Sequence, residues 1–206
     1  MNRLRQLAGV NSYERELGFH PLAANPAAWL DLCCGSGRAL IQASRQTTAT
    51  LVGVDLVDAF DDGPVHFVCA PVDRFEPRQT FDLITCVHGL HYVGDKLALL
   101  ARAAGWLTGT GRFVAHLDPA SIHVEGHTTR QVMAQLRRAG FTYARNRISR
   151  TGPAAVSFPY TYRGADDRTG PNYTGQPAVT SYYAPRRRDR SRTAGPPPSS
   201  DPPTAG

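Results

Sequence analysis

The sequence has little lysine and no long apolar run. Lys96 is the only lysine among 206 residues, so arginine carries nearly all of the positive charge. No apolar run approaches the length that a helix needs to cross a bilayer, and the first residues lack the apolar core of a secretory signal peptide. We therefore expect a cytoplasmic protein without a membrane span. The length suffices for one α/β domain with a real core.

Cysteine is also scarce, and its spacing argues against two kinds of site. None of the four cysteines stands in a C-x-x-C pair, so the sequence suggests neither a zinc site nor a disulfide framework. All of them lie in or beside predicted interior strands, which indicates reduced, buried thiols of a cytosolic protein. The four are Cys33, Cys34, Cys69 and Cys86.

Histidine offers only a weak metal pattern. His123 and His127 are four residues apart and could share a helical face, with His116 as a third ligand. Gly126 lies between the first two and makes a continuous helix doubtful. We therefore predict solvated histidines and no bound metal.

The net charge of +6 does not by itself indicate a nucleic-acid binder. Residues 185–206 carry five arginines and two aspartates, so half of the excess lies in the last part of the chain. That part is too rich in arginine, proline and serine to bury a core, and we predict a disordered tail there. The preference for arginine over lysine can reflect genome composition, so we do not expect a nucleic-acid partner.

The most informative stretch runs from residue 28 to residue 40. It reads as a buried strand over residues 28–33, then a turn containing Gly35 and Gly37, then a helix. Glycine has no Cβ, so such a turn lets a ligand approach the backbone closely. The first turn of the helix offers unpaired N–H groups and a positive dipole end.

A second apolar strand, over residues 51–54, ends in Asp55. This carboxylate follows the glycine turn by 20 residues, the spacing at which an acidic side chain accepts hydrogen bonds from ribose hydroxyls. The two segments together predict an α/β protein that binds a nucleoside cofactor.

The glycine pattern distinguishes between cofactors. A dinucleotide fingerprint needs a third small residue, where this chain has Leu40. Asp31-x-x-x-Gly35-x-Gly37 instead resembles motif I of the class I S-adenosylmethionine (SAM) dependent methyltransferases. Residues 81–88 resemble the fourth motif of that family and residues 107–114 its late turn and fifth strand. The resemblance covers roughly residues 28–162, and a nicotinamide or flavin enzyme is the alternative.

The resemblance implies a set of cofactor-binding residues. Asp31 would orient the amino group of the methionine moiety, and Asp55 would hold the ribose. The glycine that usually comes first in the motif is replaced by Cys33. The family often has an acidic residue just after strand three. This chain has no acidic residue directly there, and the nearest one is Asp73. The full predicted set is Asp31, Cys33, Gly35, Gly37, Asp55, Leu56 and Asp73.

The resemblance implies a fold with a Rossmann-like, mostly parallel seven-stranded sheet flanked by helices, in which the last strand is antiparallel. Only about ten residues separate strands two and three, which is short for a helical crossover. We therefore expect that helix to be reduced or absent. Alternating apolar residues between Val156 and Tyr162 predict the last strand, with a bulge or an early end near Pro159.

These patterns divide the chain into four segments. Residues 1–24 form an N-terminal helical segment, with a short helix that ends near Gly18 or Pro21. Residues 25–162 form the methyltransferase domain. Residues 163–184 are rich in turn formers and predict an irregular loop packed on the domain. Residues 185–206 form the disordered tail.

Candidate catalytic residues follow strand four, because active sites on open α/β sheets lie beyond the carboxyl ends of the strands. His88 and His91 are the candidates for a general base or a substrate ligand. His116 and Asp118, after strand five, form a second polar group at the same edge.

The sequence thus predicts a SAM-dependent methyltransferase that acts on a small molecule. One alternative is a methyltransferase of RNA or protein. Another is a non-catalytic protein that binds SAM or a partner and carries a basic tail. The sequence does not determine the oligomeric state.

Overall fold

The computed structural model describes residues 4–168 and 178–186. Nearly all of the predicted tail, from residue 187 on, lies outside the described residues, as do residues 169–177 of the predicted loop. Within the described part the chain forms ten strands: β1 (Ala28–Leu32), β2 (Thr50–Asp55), β3 (His66–Cys69), β4 (Phe81–Cys86), β5 (Leu107–His116), β6 (Ile122–Val124), β7 (Thr142–Ala144), β8 (Arg147–Thr151), β9 (Tyr160–Asp166) and β10 (Thr180–Pro185).

Four α-helices accompany these strands in the same part of the chain: α1 (Tyr13–Leu17), α2 (Arg38–Ser44), α3 (Lys96–Gly105) and α4 (Thr129–Arg138). Their ends follow the sequence. Helix α1 ends at Gly18, whose φ of 75° is left-handed. Helix α4 begins with a capping box, in which Thr128 and Gln131 satisfy each other's backbone N–H groups.

The main sheet has seven strands in the order β3-β2-β1-β4-β5-β8-β7. Strands β1 to β5 run parallel to one another, and β8 runs antiparallel to β5. The predicted fold class is therefore confirmed. The central strand β1 is covered on both faces, since Trp29, Leu30 and Leu32 have no exposed surface. A continuous apolar run is what a buried parallel strand requires.

The connection between β2 and β3 contains no helix, as its length predicts. Residues 56–65 form bends and irregular backbone instead. The backbone N–H of Asp61 donates to the carbonyl of Ser36, 2.9 Å away. The ring of Phe60 stacks on Phe67 with centroids 4.5 Å apart. This connection therefore packs against the glycine turn rather than crossing the sheet as a helix.

The residues predicted for the last strand of the main sheet are wrong. The main sheet ends in the hairpin of β7 and β8, whose turn residues Arg145 and Asn146 have left-handed φ angles of 50° and 60°. Of the alternating residues, Tyr160 and Tyr162 belong to β9, which pairs with β10 in a separate three-stranded sheet of order β6-β10-β9. Val156 and Phe158 precede this strand, which begins directly after Pro159. Alternation shows only that one face of a strand is buried, and it does not identify the sheet.

The predicted irregular loop over residues 163–184 also needs correction. Residues 163–166 continue β9, and residues 180–184 lie in β10. The two strands pair antiparallel, with a register shift between Tyr182 and Tyr183. Tyr160 and Tyr183 are buried in the main core. The domain therefore extends past residue 162.

The single lysine attaches this second sheet to the first. Nζ of Lys96 donates to the carbonyls of Val93 and Val179 and to the hydroxyl of Ser181, at 3.0, 2.7 and 3.1 Å. Burial lowers the pKa of Lys96 to about 8. The ammonium group therefore serves as a buried hydrogen-bond donor that links β10 to the start of α3.

None of the helices in the described ranges combines the length and apolar character needed to cross a membrane.

Candidate active site

The turn after β1 contains three left-handed residues in alternating positions. The φ angles are 59° at Cys33, 64° at Gly35 and 74° at Gly37. The conformation at Cys33 is the one that glycine adopts most easily, which accounts for the glycine that the related motif has there. The backbone N–H of Cys34 donates to the carbonyl of Val54, 3.1 Å away, and fixes the turn to β2.

The carboxylate of Asp55 faces this turn. One oxygen accepts the backbone N–H of Gly35 at 2.8 Å, and the other accepts the N–H of Val57 at 3.2 Å. Leu56, the next residue, exposes 67 % of its surface. A carboxylate held at the turn beside an exposed apolar side chain fits the ribose and the base of a nucleoside. The binding roles of Gly35, Asp55 and Leu56 stay predictions, as does that of Cys33.

Gly37 has a packing role that the sequence did not indicate. A Cβ at Gly37 would lie about 2.2 Å from two ring carbons of Phe67, and one at Gly53 would lie 2.8 Å from the same ring. The N–H of Gly37 donates to the carbonyl of Cys34. Phe67 therefore occupies the side of the turn that a side chain would fill, and contact between Gly37 and the cofactor stays a prediction.

Asp31 lies in a buried hydrogen-bond network. Its two carboxylate oxygens accept the hydroxyl groups of Tyr13 and Thr85, each at 2.6 Å. Trp29 donates to the same Thr85 hydroxyl at 2.8 Å. Burial raises the pKa of Asp31 to about 7, and the hydrogen bonds oppose that rise. The predicted contact between Asp31 and the amino group of the methionine moiety stays a prediction. In the structure the hydroxyl of Tyr13 lies beside this carboxylate.

Asp73 lies on the exposed loop after β3. Its backbone carbonyl accepts a hydrogen bond from Arg102, 2.7 Å away. The side chain is exposed, and its predicted contact with adenine stays a prediction.

His88 leaves the end of β4 in a left-handed conformation, with φ 59°. Nε2 lies 2.8 Å from a carboxylate oxygen of Glu16, and Nε2 of His116 lies 3.4 Å from the same oxygen. The two imidazole rings stack with centroids 4.1 Å apart. The hydrogen bond with His88 lowers the pKa of Glu16 to about 2. A carboxylate therefore anchors two histidines from adjacent strand ends.

Sequence reasoning missed Glu16. It lies on α1, where Ser12 caps the helix and Tyr13 and Leu17 face the core. The helical pattern indicates the buried face, but nothing in the sequence identifies a partner 72 residues away. The carboxylate reaches the histidines only because α1 packs against the carboxyl edge of the sheet.

His91 lies in the short 3-10 turn Gly89–Tyr92 and has no exposed surface. Its ring centroid is 5.9 Å from that of His88. Burial, followed by the charge of His88, lowers the pKa of His91 to about 4. The structure brings the two predicted catalytic histidines together, and His88 lines a cavity. A catalytic role for either one stays a prediction.

A cavity of about 510 Å³ opens beside His88 and His116. Three arginines and one glutamate supply the permanent charges of its wall, so positive charge predominates. The lining residues are Arg15, Glu16, Gly18, His88, His116, Arg145, Asn146 and Arg147.

The cluster of Glu16, His88 and His116 has ligand atoms that all lie within 4.8 Å of one another. The two imidazole planes are nearly parallel, at 9°. Their nitrogen lone pairs lie in these planes, so they run side by side and do not converge on one ion. His123 and His127 contact Tyr182 and Tyr160 instead. The absence of a metal stays a prediction.

Comparison with known families identifies the domain. A family model described as a methyltransferase domain matches residues 11–147, more than half of the chain. The matched region includes the glycine turn, Asp55 and the histidine cluster. No curated protein matches the sequence.

Solved structures with a similar fold are methyltransferases of low identity. The plantazolicin methyltransferase BpumL, in complex with a monoazolic desmethylPZN analog and S-adenosylhomocysteine (SAH), has 23 % identity and a TM-score of 0.43, over 47 % of this chain and 41 % of that one. The N-methyltransferase NodS from Bradyrhizobium japonicum, with SAH, has 12 % identity and a TM-score of 0.48, over 65 % and 82 %. CalS10, an amino pentose methyltransferase from Micromonospora echinaspora with SAM bound, has 22 % identity and a TM-score of 0.39, over 46 % and 44 %.

The chain spans less than half the length of BpumL and of CalS10. Family membership follows from the family model and from the seven-stranded sheet. Both agree with the resemblance of the segment from Asp31 to Gly37 to motif I of the class I methyltransferases. The chain belongs to the methyltransferase-domain family, of the SAM-dependent class I type.

Proposed function

We propose that this protein transfers a methyl group from SAM to a small-molecule acceptor. The observation that carries the proposal is the position of two features at one edge of the sheet. The carboxylate of Asp55 is hydrogen-bonded to the glycine turn, and the Glu16–His88 pair lies at the end of β4. On an open α/β sheet, cofactor and substrate meet at that edge.

SAM supplies a methyl group on a positively charged sulfur, so the protein chiefly has to bind and align two molecules. Correct alignment of reactants can contribute about 7–11 kcal/mol to catalysis. In the proposal, Asp55 holds the ribose and the turn supplies backbone N–H groups. The exposed side chain of Leu56 contacts the base.

His88 is the proposed general base for an acceptor that must lose a proton. Its Nε2 is engaged by Glu16, and its Nδ1 is buried without a hydrogen-bond partner among the described residues. Glu16 orients the ring and stabilises the positive charge that develops on it.

A cytoplasmic location forms part of the same proposal. Its support is the four cysteines Cys33, Cys34, Cys69 and Cys86, all of which are free thiols. Reduced thiols are usual in that compartment.

The test is incubation of the full chain with methyl-labelled SAM and a cell extract separated into metabolites, RNA and protein. Label in small metabolites supports the proposal, and Asp55→Ala should strongly reduce that label. Label in RNA or protein contradicts the small-molecule acceptor. Binding of SAH without transfer to any fraction contradicts catalysis.

A further inference from the structure

The cavity beside His88 carries uncompensated positive charge. Arg15 comes from α1, Arg145 from the β7–β8 turn and Arg147 from the start of β8. None of the three forms an ion pair with a carboxylate among the described residues. The carboxylate of Glu16, the acidic group in the wall, already contacts His88 and His116.

The contacts of the arginines leave donors available. Nη1 of Arg147 donates to the backbone carbonyl of Glu16 at 2.9 Å, and Nη1 of Arg15 donates to that of Val10 at 3.3 Å. The guanidinium of Arg145 makes no hydrogen bond within residues 4–168 and 178–186. Each guanidinium has five N–H donors in a planar fork that matches carboxylate and phosphate groups.

We infer that this cavity is an anion subsite that binds a carboxylate or phosphate group of the methyl acceptor. The inference rests on the proposed function and narrows its substrate to acidic small molecules. Charge complementarity supports it, because an anion would pair with arginines that the protein leaves without acidic partners. The subsite adjoins His88, so an acceptor anchored by its acid would have its other end near the proposed base.

The cavity is separate from the predicted cofactor turn. None of the residues proposed to bind the cofactor lines it, neither Asp31 nor Asp55 nor the residues of the glycine turn. This separation favours the acceptor over the cofactor's own carboxylate as the source of the anion.

The first experiment measures anion binding without turnover. Inorganic phosphate is titrated into the full chain at constant ionic strength, and binding is followed by calorimetry. The double variant Arg15→Gln/Arg145→Gln leaves Arg147 and its bond to Glu16 in place. We expect its affinity to fall at least about tenfold, since charge-assisted hydrogen bonds contribute about 1.5–3 kcal/mol each. Arg137→Gln, exposed on α4, is the matched control and should bind as the wild type does. Equal binding by all three proteins would overturn the subsite.

The second experiment identifies the source of the anion. SAH carries a carboxylate, whereas 5′-methylthioadenosine lacks the amino-acid end. If the arginines bind the acceptor, the double variant keeps its affinity for both compounds. A loss of affinity for SAH alone would assign the arginines to the cofactor and overturn the inference.

The third experiment separates this inference from the proposed function. Metabolites are divided on an anion-exchange resin before incubation with labelled SAM. Label in the acidic fraction, with a raised KM in the double variant, supports the inference. Label only in neutral or cationic metabolites overturns it while the methyltransferase assignment stands. Label only in RNA or protein overturns the small-molecule acceptor in both proposals.

Discussion

Glu16 and His88 are 72 positions apart in the sequence, yet the carboxylate of one lies 2.8 Å from Nε2 of the other. The contact joins α1 to the loop after β4. The backbone carbonyl of Glu16 accepts Arg147 as well, so the same residue contacts β8. The N-terminal helix is therefore an integral part of the candidate active site.

Replacing Glu16 by Gln should slow catalysis without weakening cofactor binding. The amide keeps the size of the side chain, but it removes the negative charge that stabilises a protonated His88. We expect kcat to fall on the order of 10- to 100-fold, part of the 10²–10⁴ that a general base contributes. The affinity for SAH should stay unchanged. Glu14→Gln, on the same helix, is the control. An unaltered kcat and pH–rate profile would contradict the role of Glu16.

Replacing Asp55 by Ala should weaken the binding of SAH by about 10- to 100-fold, because hydrogen bonds to a charged group contribute about 1.5–3 kcal/mol. The variant also loses the acceptor for the N–H of Gly35. Calorimetric titration with SAH measures the effect. Asp58→Ala is the control, because Asp58 lies three residues further along, exposed in the connection between β2 and β3. This variant should bind SAH as the wild type does. Wild-type affinity in Asp55→Ala would contradict the cofactor site.

The sequence was sufficient for the parallel core and for the glycine turn that lies beside Asp55. Both depend on local patterns, namely apolar strands, a glycine turn and an acid at a fixed spacing. The loss of the helix between β2 and β3 follows from the length of the connection alone. These features need no knowledge of distant contacts.

Long-range contacts escaped sequence reasoning. The apolar alternation over residues 156–162 predicts an edge strand of the main sheet, but Tyr160 and Tyr162 lie in β9, which pairs with β10 in a separate sheet. The partner of Glu16 and the ring that fills the space at Gly37 are set by tertiary packing. Charge and spacing in the sequence do not encode either partner.

Replacing Gly37 by Ala should destabilise the fold by about 2–4 kcal/mol. A left-handed conformation is unfavourable for alanine, and its methyl group would collide with the ring of Phe67. Urea unfolding measures the loss. Gly105→Ala is the control, since a Cβ there meets no atom within 4 Å and alanine favours the helix. Adding Phe67→Ala to Gly37→Ala should cost less than the sum of the two single variants. Full additivity would contradict the predicted collision.

Three buried groups, His91, His116 and Asp31, should determine how stability changes with pH below neutrality. The two histidines and the aspartate have opposite effects. The folded-state pKa values of His91 and His116 are lowered to about 4 and about 3, chiefly by burial. Unfolding therefore takes up two protons as the pH falls below about 6.5, and stability decreases. The pKa of Asp31 is raised to about 7, so unfolding releases one proton over the same interval, and stability increases. The net uptake of one proton predicts a loss of about 1.4 kcal/mol per pH unit between roughly pH 6 and 5. Below that interval Glu16, whose folded-state pKa is lowered to about 2, adds a further uptake on unfolding.

Two variants separate these contributions. Removing the titrating ring with His116→Gln should leave the free energy of unfolding nearly constant across that interval, because one uptake and one release then cancel. Asp31→Asn should roughly double the slope, because the release is lost. Urea unfolding at half-unit steps of pH measures both slopes, and His123→Gln, exposed on β6, serves as the control. An unchanged slope in His116→Gln would mean that this ring is protonated to the same extent in the folded and unfolded states, which its burial beside His88 argues against.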